Sequence, residues 1–207
     1  AEWKPASNVT LGVGPGFSLV HQDAQYVGAY ADPLASATYG TRYVFAVLDQ
    51  RTFSANLRLN WAFTPKLSLQ LFAQPFLSTG DYTDFKELAR PSSYEFTRYL
   101  AAGGTYDRAT GMLDPDGPAG PAAAFALGNP DWGFGGHPDF NYKSLRGNAV
   151  LRWEYLPGST FFLVWTQDRD DLEAHSGDFT VGRSFGRLGA VRPNNIFLAK
   201  VSYYFNL

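Results

Sequence analysis

Three histidines, His21, His137 and His175, are the side chains best suited to proton transfer or metal ligation near neutral pH. They stand far apart in sequence, in or near predicted loops, and no HExxH or similar spacing joins them. They read as ordinary surface histidines. Asp114-Pro-Asp-Gly117 has the outline of a calcium loop, with Asp114 and Asp116 as ligands. The further oxygen ligands and the closing Glu of such a loop are missing, and Asp-Gly is first a turn signal. Asp168-Arg-Asp-Asp171 is more acidic. Asp168 and Asp170 could hold a divalent ion or bridge lipopolysaccharide through one; a solvated strand end is the plainer reading. Gly12-Val-Gly-Pro-Gly16 lacks the helix that must follow a phosphate loop, so a bulge or bend in a strand is expected there. No GxSxG occurs. No cysteine occurs either, which removes thiolate metal sites, cysteine nucleophiles and disulfides. Neither a cofactor nor catalysis is expected.

A different set of polar residues shares a pattern. Arg58, Asn60, Gln70, Arg152, Glu154 and Lys200 each alternate with apolar neighbours. Phe53, Ala55, Leu57, Leu59, Trp61 and Phe63 form one face of a strand, and Ser54, Asn56, Arg58, Asn60 and Ala62 the other. A period of two over this length marks a strand with one apolar and one polar side. Thr64-Pro-Lys66 then turns the chain into Leu67–Gln74, which alternates in the same way. A second hairpin runs Leu145–Tyr155, Pro157-Gly-Ser159, Thr160–Gln167, although Phe162 and Val164 make its return strand apolar on both faces. Asn8–His21, Ala24–Ala31, Arg42–Leu48 and Asn195–Leu207 bring the count to about eight strands.

Composition says what surrounds such strands. Charged residues are 17% of the chain, below the quarter or so of soluble domains, and aromatics are 16%. The net charge of −2 and the lack of a basic stripe argue against nucleic acid. No apolar run reaches the roughly 18 residues of a membrane helix, and no charged segment followed by an apolar one stands at the start. A membrane protein without helix spans must be a closed barrel, because lipid satisfies no backbone groups. Two short turns, 64–66 and 157–159, are placed at one end together with the 32–41 connection. Long Gly/Pro/Asp-rich loops, 79–143 and 169–194, are placed outside, the asymmetry of outer-membrane barrels. Trp61, Phe63, Trp153, Tyr155, Phe161, Tyr203 and Phe205 flank the short turns as a girdle would. Val201, Tyr203, Phe205 and Leu207 give the final strand the aromatic-apolar alternation of a terminal barrel strand.

Several longer motifs, among them Tyr39-Gly-Thr-Arg-Tyr-Val-Phe-Ala46, Leu48-Asp-Gln-Arg-Thr52, Ser144–Tyr155 and Val164-Trp-Thr-Gln167, resemble the C-terminal region of a bacterial family. Phe85-Lys-Glu-Leu88 and Asn195-Ile-Phe-Leu198 belong to the same set, and the likeness runs from about Ser7 to Leu207. Members of that family look like outer-membrane barrels preceded by a family-9-type carbohydrate-binding module. That module has no counterpart here, and the family's barrel region is larger, so a complete small barrel and a part of a wider one both stand.

The expected fold is therefore all-β: one antiparallel up-and-down transmembrane barrel over residues 1–207, in a bacterial outer membrane. The expected partners are membrane lipid and the barrel assembly machinery. Arg58, Asn60, Gln70, Arg152, Glu154 and Lys200 would face the lumen and set selectivity, or form an ion-pair network filling it. The alternative role is binding of a glycan or protein by loop 79–143 through Trp132, Phe134 and Tyr142. A soluble β-subunit of a larger complex is a third reading.

Overall fold

The structure, a computed structural model, describes residues 1–128 and 137–205. It is all-β with antiparallel pairing throughout. The main sheet runs β1 (Glu2–Ala6), β2 (Val9–Ala31), β3 (Thr41–Thr64), β4 (Leu67–Leu88), β9 (Phe140–Leu156), β10 (Ser159–Ala174) and β11 (Asn194–Ser202) in that spatial order. A short strand, β5 (Phe96–Arg98), extends it beside the upper part of β4. A small second sheet joins β6 (Thr105–Asp107), β7 (Met112–Asp114) and β8 (Phe125–Ala126). Among the described residues the main sheet is open: β1 and β11 are its edges, and no closed barrel is found.

Several expected boundaries are corrected. The two strands read at Asn8–His21 and Ala24–Ala31 are one strand, β2, because two bulges absorb the residues expected to turn the chain. These irregularities lie between Gln22 and Gln25 and between Tyr26 and Gly28; pairing through Gly12–Gly16 is unbroken, so that segment is not the bulge. Arg42–Leu48 and Phe53–Phe63 likewise form one strand, β3. Fusing these pairs moves the 32–41 connection to the end that carries the long loops. The long connections also shrink: β4 continues to Leu88 and β9 begins at Phe140, while β10 continues to Ala174. Residues 175–193 contain a helix that alternation could not signal, α1 (Val181–Ala190). The terminal ladder stops at Ser202; beyond it the Tyr204 amide donates to Ser159 Oγ at 3.0 Å. Leu207, the end of the expected alternation, lies outside the described residues.

Register sorts side chains onto two faces. One row crosses six strands as Leu11, Leu59, Leu71, Ala149, Trp165 and Phe197. The next row on that face is Val9, Trp61, Leu69, Leu151, Leu163 and Ala199. On the opposite face, Thr10, Asn60, Gln70, Val150, Val164 and Leu198 line up, as do Gly12, Arg58, Phe72, Asn148, Thr166 and Ile196. On β3 the apolar band spans Phe53–Phe63, close to the 9–11 residues a membrane strand needs. Both faces of this turn-proximal half are largely open: Trp61 is 38% exposed and Trp153 49% on one, and Asn56, Arg58 and Asn60 are exposed on the other.

In the other half of the sheet each face is partly covered. Over the face that is polar below, residues 96–128 pack a core of Val44, Ala46, Phe85, Tyr99, Leu113 and Leu127. Beneath it, Arg42 binds Asp32 at 2.6 Å and Glu87 at 2.7 Å, tying the 32–41 turn to β4. Over the face that is apolar below lies α1, with Ser184 and Leu188 buried and Phe185 against Phe53. Under the helix, the fully buried Lys143 meets Asp171 at 2.8 Å and Glu173 at 3.5 Å, and Arg187 contacts both carboxylates from above. Burial alone would raise the Asp171 pKa; hydrogen bonds from Lys143 and Arg187 outweigh it and hold the carboxyl below its ordinary 3.8. Leu113→Ala should cost about 3 kcal/mol by leaving a cavity in the 96–128 core. Hydrogen exchange should show that loss in residues 96–128 and in Val44–Leu48, with the turn-proximal strands unchanged.

Candidate functional site

The expected lumen residues do share one face. Asn60 and Gln70 sit side by side, and Arg58 lies one residue pair away with its guanidinium 5.5 Å from the Phe72 ring centroid. Arg152 and Glu154 approach to 3.6 Å, while Lys200 is separated from Arg152 by Phe162. These residues line a surface and do not converge on a point. Tyr142 lies in β9, not in a loop, with its ring 6.1 Å from that of Phe76. Trp132 and Phe134 lie outside the described residues. Asp114 accepts from the Gly117 amide and Asp116 from the Ala122 amide, so both carboxylates brace a turn. Asp168 faces Arg146 at 3.3 Å, and Asp170 pairs across the ladder with Ser144. Among the described residues no three His, Cys, Asp or Glu side chains are grouped to hold a metal.

Convergence occurs elsewhere, where β4 parts from β9 above Gly80. Asp139, buried just before β9, accepts from the Tyr82 amide at 2.7 Å and from Arg108 at 2.7 Å. Arg108, reaching in from the loop after β6, also pairs with Asp81. His137 is fully buried, which corrects its reading as a surface histidine. Its Nδ1 accepts the Asp139 amide at 3.1 Å, so the proton belongs on Nε2, which donates to Tyr106 Oη at 3.1 Å. Its ring stacks on His175 at 5.3 Å, and the His175 amide donates to the Asp139 carbonyl. Burial lowers the His137 pKa below its ordinary 6.5, and the neighbouring His175 and Arg108 push the same way against the raising effect of Asp139. Burial raises the Tyr106 pKa, and the Asp139 charge adds to it.

Asp81, Arg108 and Asp139 form one wall of a cavity of about 440 Å³, with His137 buried behind them. Asp49 and Arg51 of β3 and the segment His175–Phe179 complete it. His21 reaches Asp49 from β2 at 2.7 Å, and hydrogen bonds donated to Asp49 and then to Asp23 raise its pKa. The cavity is strongly polar, with four carboxylates, two guanidinium groups, the His175 imidazole and one phenyl ring, that of Phe179. It suits a small polar ligand better than an apolar one. Alternation could not find it, because its walls come from β3, β4, the 89–139 connection and the segment before α1. One signal was available: Asp139 and His175 are placed as mirror positions about the Pro157-Gly158 turn, one step beyond the Phe140–Ala174 pair.

No family model, no curated protein and no solved structure matches this chain.

His137 braces the start of the 175–179 segment by stacking on His175, and only its neutral imidazole can accept the Asp139 amide. A lowered folded-state pKa means its contribution is complete above pH 6.5 and is lost as the pH falls from there toward the folded value. Amide exchange across Ser176–Ala190, corrected for intrinsic rates, should therefore accelerate between pH 7 and 5.5. His137→Gln should flatten that dependence.

Proposed function

We propose that this chain forms wall of a transmembrane β-barrel in a bacterial outer membrane, in a non-enzymatic structural, porin-like or uptake role. One observation carries the reading. β2, β3 and β4 present an apolar face about one bilayer core tall, continued across β9, β10 and β11 in the rows through Leu59 and Trp61, back to back with a face bearing Arg58, Asn60, Gln70 and Arg152. A soluble sheet leaves no apolar band of this extent facing water. The order of ends agrees: turns 65–66 and 157–158 are short, and the opposite end carries the 89–139 and 175–193 connections. Trp61, Phe63, Trp153 and Tyr155 stand at the turn end of the band, where amphipathic rings collect. The resemblance to the barrel region of a bacterial outer-membrane family points the same way.

Closure has a condition. β1 and β11 both run from the loop end toward the turn end, since each neighbouring pair between them is antiparallel. They cannot join each other in an all-antiparallel barrel; an odd number of further strands must stand between them. With the wider circumference this implies, the polar face would border water, and Arg58 and Arg152 would set ion preference there.

A second reading draws on the polar cavity and the folded segment 96–128: recognition of a glycan or a protein at the loop end. The Asp/Arg lining and Phe179 favour it.

The wall reading predicts extraction only with detergent and heat-modifiable gel migration. Leu71→Arg, on the apolar face, should destabilise the vesicle-inserted protein by roughly 2–4 kcal/mol, and Gln70→Arg on the other face by far less. Urea titration in lipid vesicles measures both. Equal costs, or a monodisperse protein in water without detergent, would sink the reading.

A further inference from the structure

The two edges of the main sheet are built differently. On one side, β1 has five residues, with Glu2 and Lys4 charged, Pro5 unable to donate, and a shift in register between Trp3 and Ala6. Above β1 that edge passes to β2, which carries Pro15 and two bulges. Proline, charge, brevity and bulges are the devices that stop an edge from pairing with another strand.

β11 has almost none of them. It pairs with β10 through nine consecutive residue pairs without irregularity. It contains no proline, and its one charged side chain is Lys200. Both of its faces are apolar and open: Phe197 and Val201 on one, 69% and 65% exposed, and Ile196 and Leu198 on the other, 58% and 60% exposed. β10 beside it shows the same two-sided character, with Phe161, Leu163 and Trp165 backed by Phe162 and Val164. Elsewhere in the turn-proximal half the second face is largely polar. Apolar residues on both faces of a free, regular edge are what a strand carries when another strand continues the sheet and something apolar lies against both sides.

We infer that β11 is the edge at which this sheet first accepts a strand, β1 being the weaker acceptor. The occupant is an antiparallel strand running from the turn end to the loop end, with apolar side chains on both faces. It is not a second copy of this chain: a β11–β11 pair is two-fold symmetric, so the partner's loop end would point the opposite way, which two copies inserted in one membrane cannot do. It is not β1, which runs in the same direction as β11. The inference deepens the wall reading and rests on it for the orientation of the occupant.

The cysteine-free chain allows a direct test. The probe is a nine-residue peptide of the Thr160–Asp168 sequence carrying Val164→Cys, added to the full chain carrying Leu198→Cys in detergent micelles. In the register that β10 uses, position 164 lies opposite position 198, so the two side chains would share a face within disulfide reach. The expected result is a peptide–chain disulfide formed at least tenfold more in Leu198→Cys than in Trp3→Cys, and lost when the peptide also carries Leu163→Pro. Equal yields at the two edges, no adduct at position 198, or a predominant chain–chain disulfide through position 198 would each overturn it. Leu198 is exposed, so its substitution does not threaten folding. Heat-modifiability of the chain without peptide judges the wall reading by itself, so the two can fail separately.

Discussion

Everything in this molecule depends on β3 keeping its alternation from Thr41 to Ala62. Strand side chains repeat every two residues, and a slip of one would exchange the faces. Because β3 does not slip, the face that carries Arg58 and Asn60 near the turn is the face that carries Arg42, Val44, Ala46 and Leu48 far above it. From Thr41 to Ala62 the irregularities fall on its neighbours: β2 carries two extra residues, and β4 bulges where Asp84 adopts φ 47°, while the one extra residue of β3, Phe63, lies beside the turn. The regular strand sets the frame and the adjoining ones adjust to it.

The same two faces meet opposite environments at the two ends. Near the turns one face is apolar and the other polar, and both are open. Near the loops the face that was polar is covered by an apolar core, and the face that was apolar carries Asp49, Arg51, Asp81, Lys143, Asp171 and Glu173. Charges are expensive to bury, and here the buried lysine acquires partners: Lys143 has two carboxylates, and Arg183 and Arg187 of α1 approach the same acids from the other side. The helix itself is a poor one by propensity, with Gly182, Gly186 and Gly189 in ten residues. Its arginines and the apolar contacts of Phe185 and Leu188 hold it where intrinsic preference would not.

How much was legible depends on how local each feature is. The alternation of Phe53–Phe63, the Pro65 and Gly158 turns and the shared face of Arg58, Asn60, Gln70 and Arg152 could be read because each is set by near neighbours in the chain. Strand fusion could not, since Asp23 and Ala24 look like a turn and become a bulge only when β3 pairs across them. α1 was hidden by its glycines. The His137, His175 and Asp139 group was hidden because its members are joined by the β9–β10 hairpin and by a loop arginine, Arg108, which no spacing rule connects to Asp81. Tertiary pairing, not local preference, decides each of these.

The two bulges of β2 act together. Each adds one residue and flips the facing of the strand beyond it, so Gln25 shares a face with Ala46 while Ala29 again shares one with Tyr43. Their sum is even, and the strand leaves the irregular region in the phase in which it entered. Chain length in this stretch is therefore free to change in steps of two without disturbing either end. A single-residue insertion or deletion would instead invert the last turn-facing residues and pull Asp32 away from Arg42. The strand carries its own parity check, and the ion pair at its end is where an error would register.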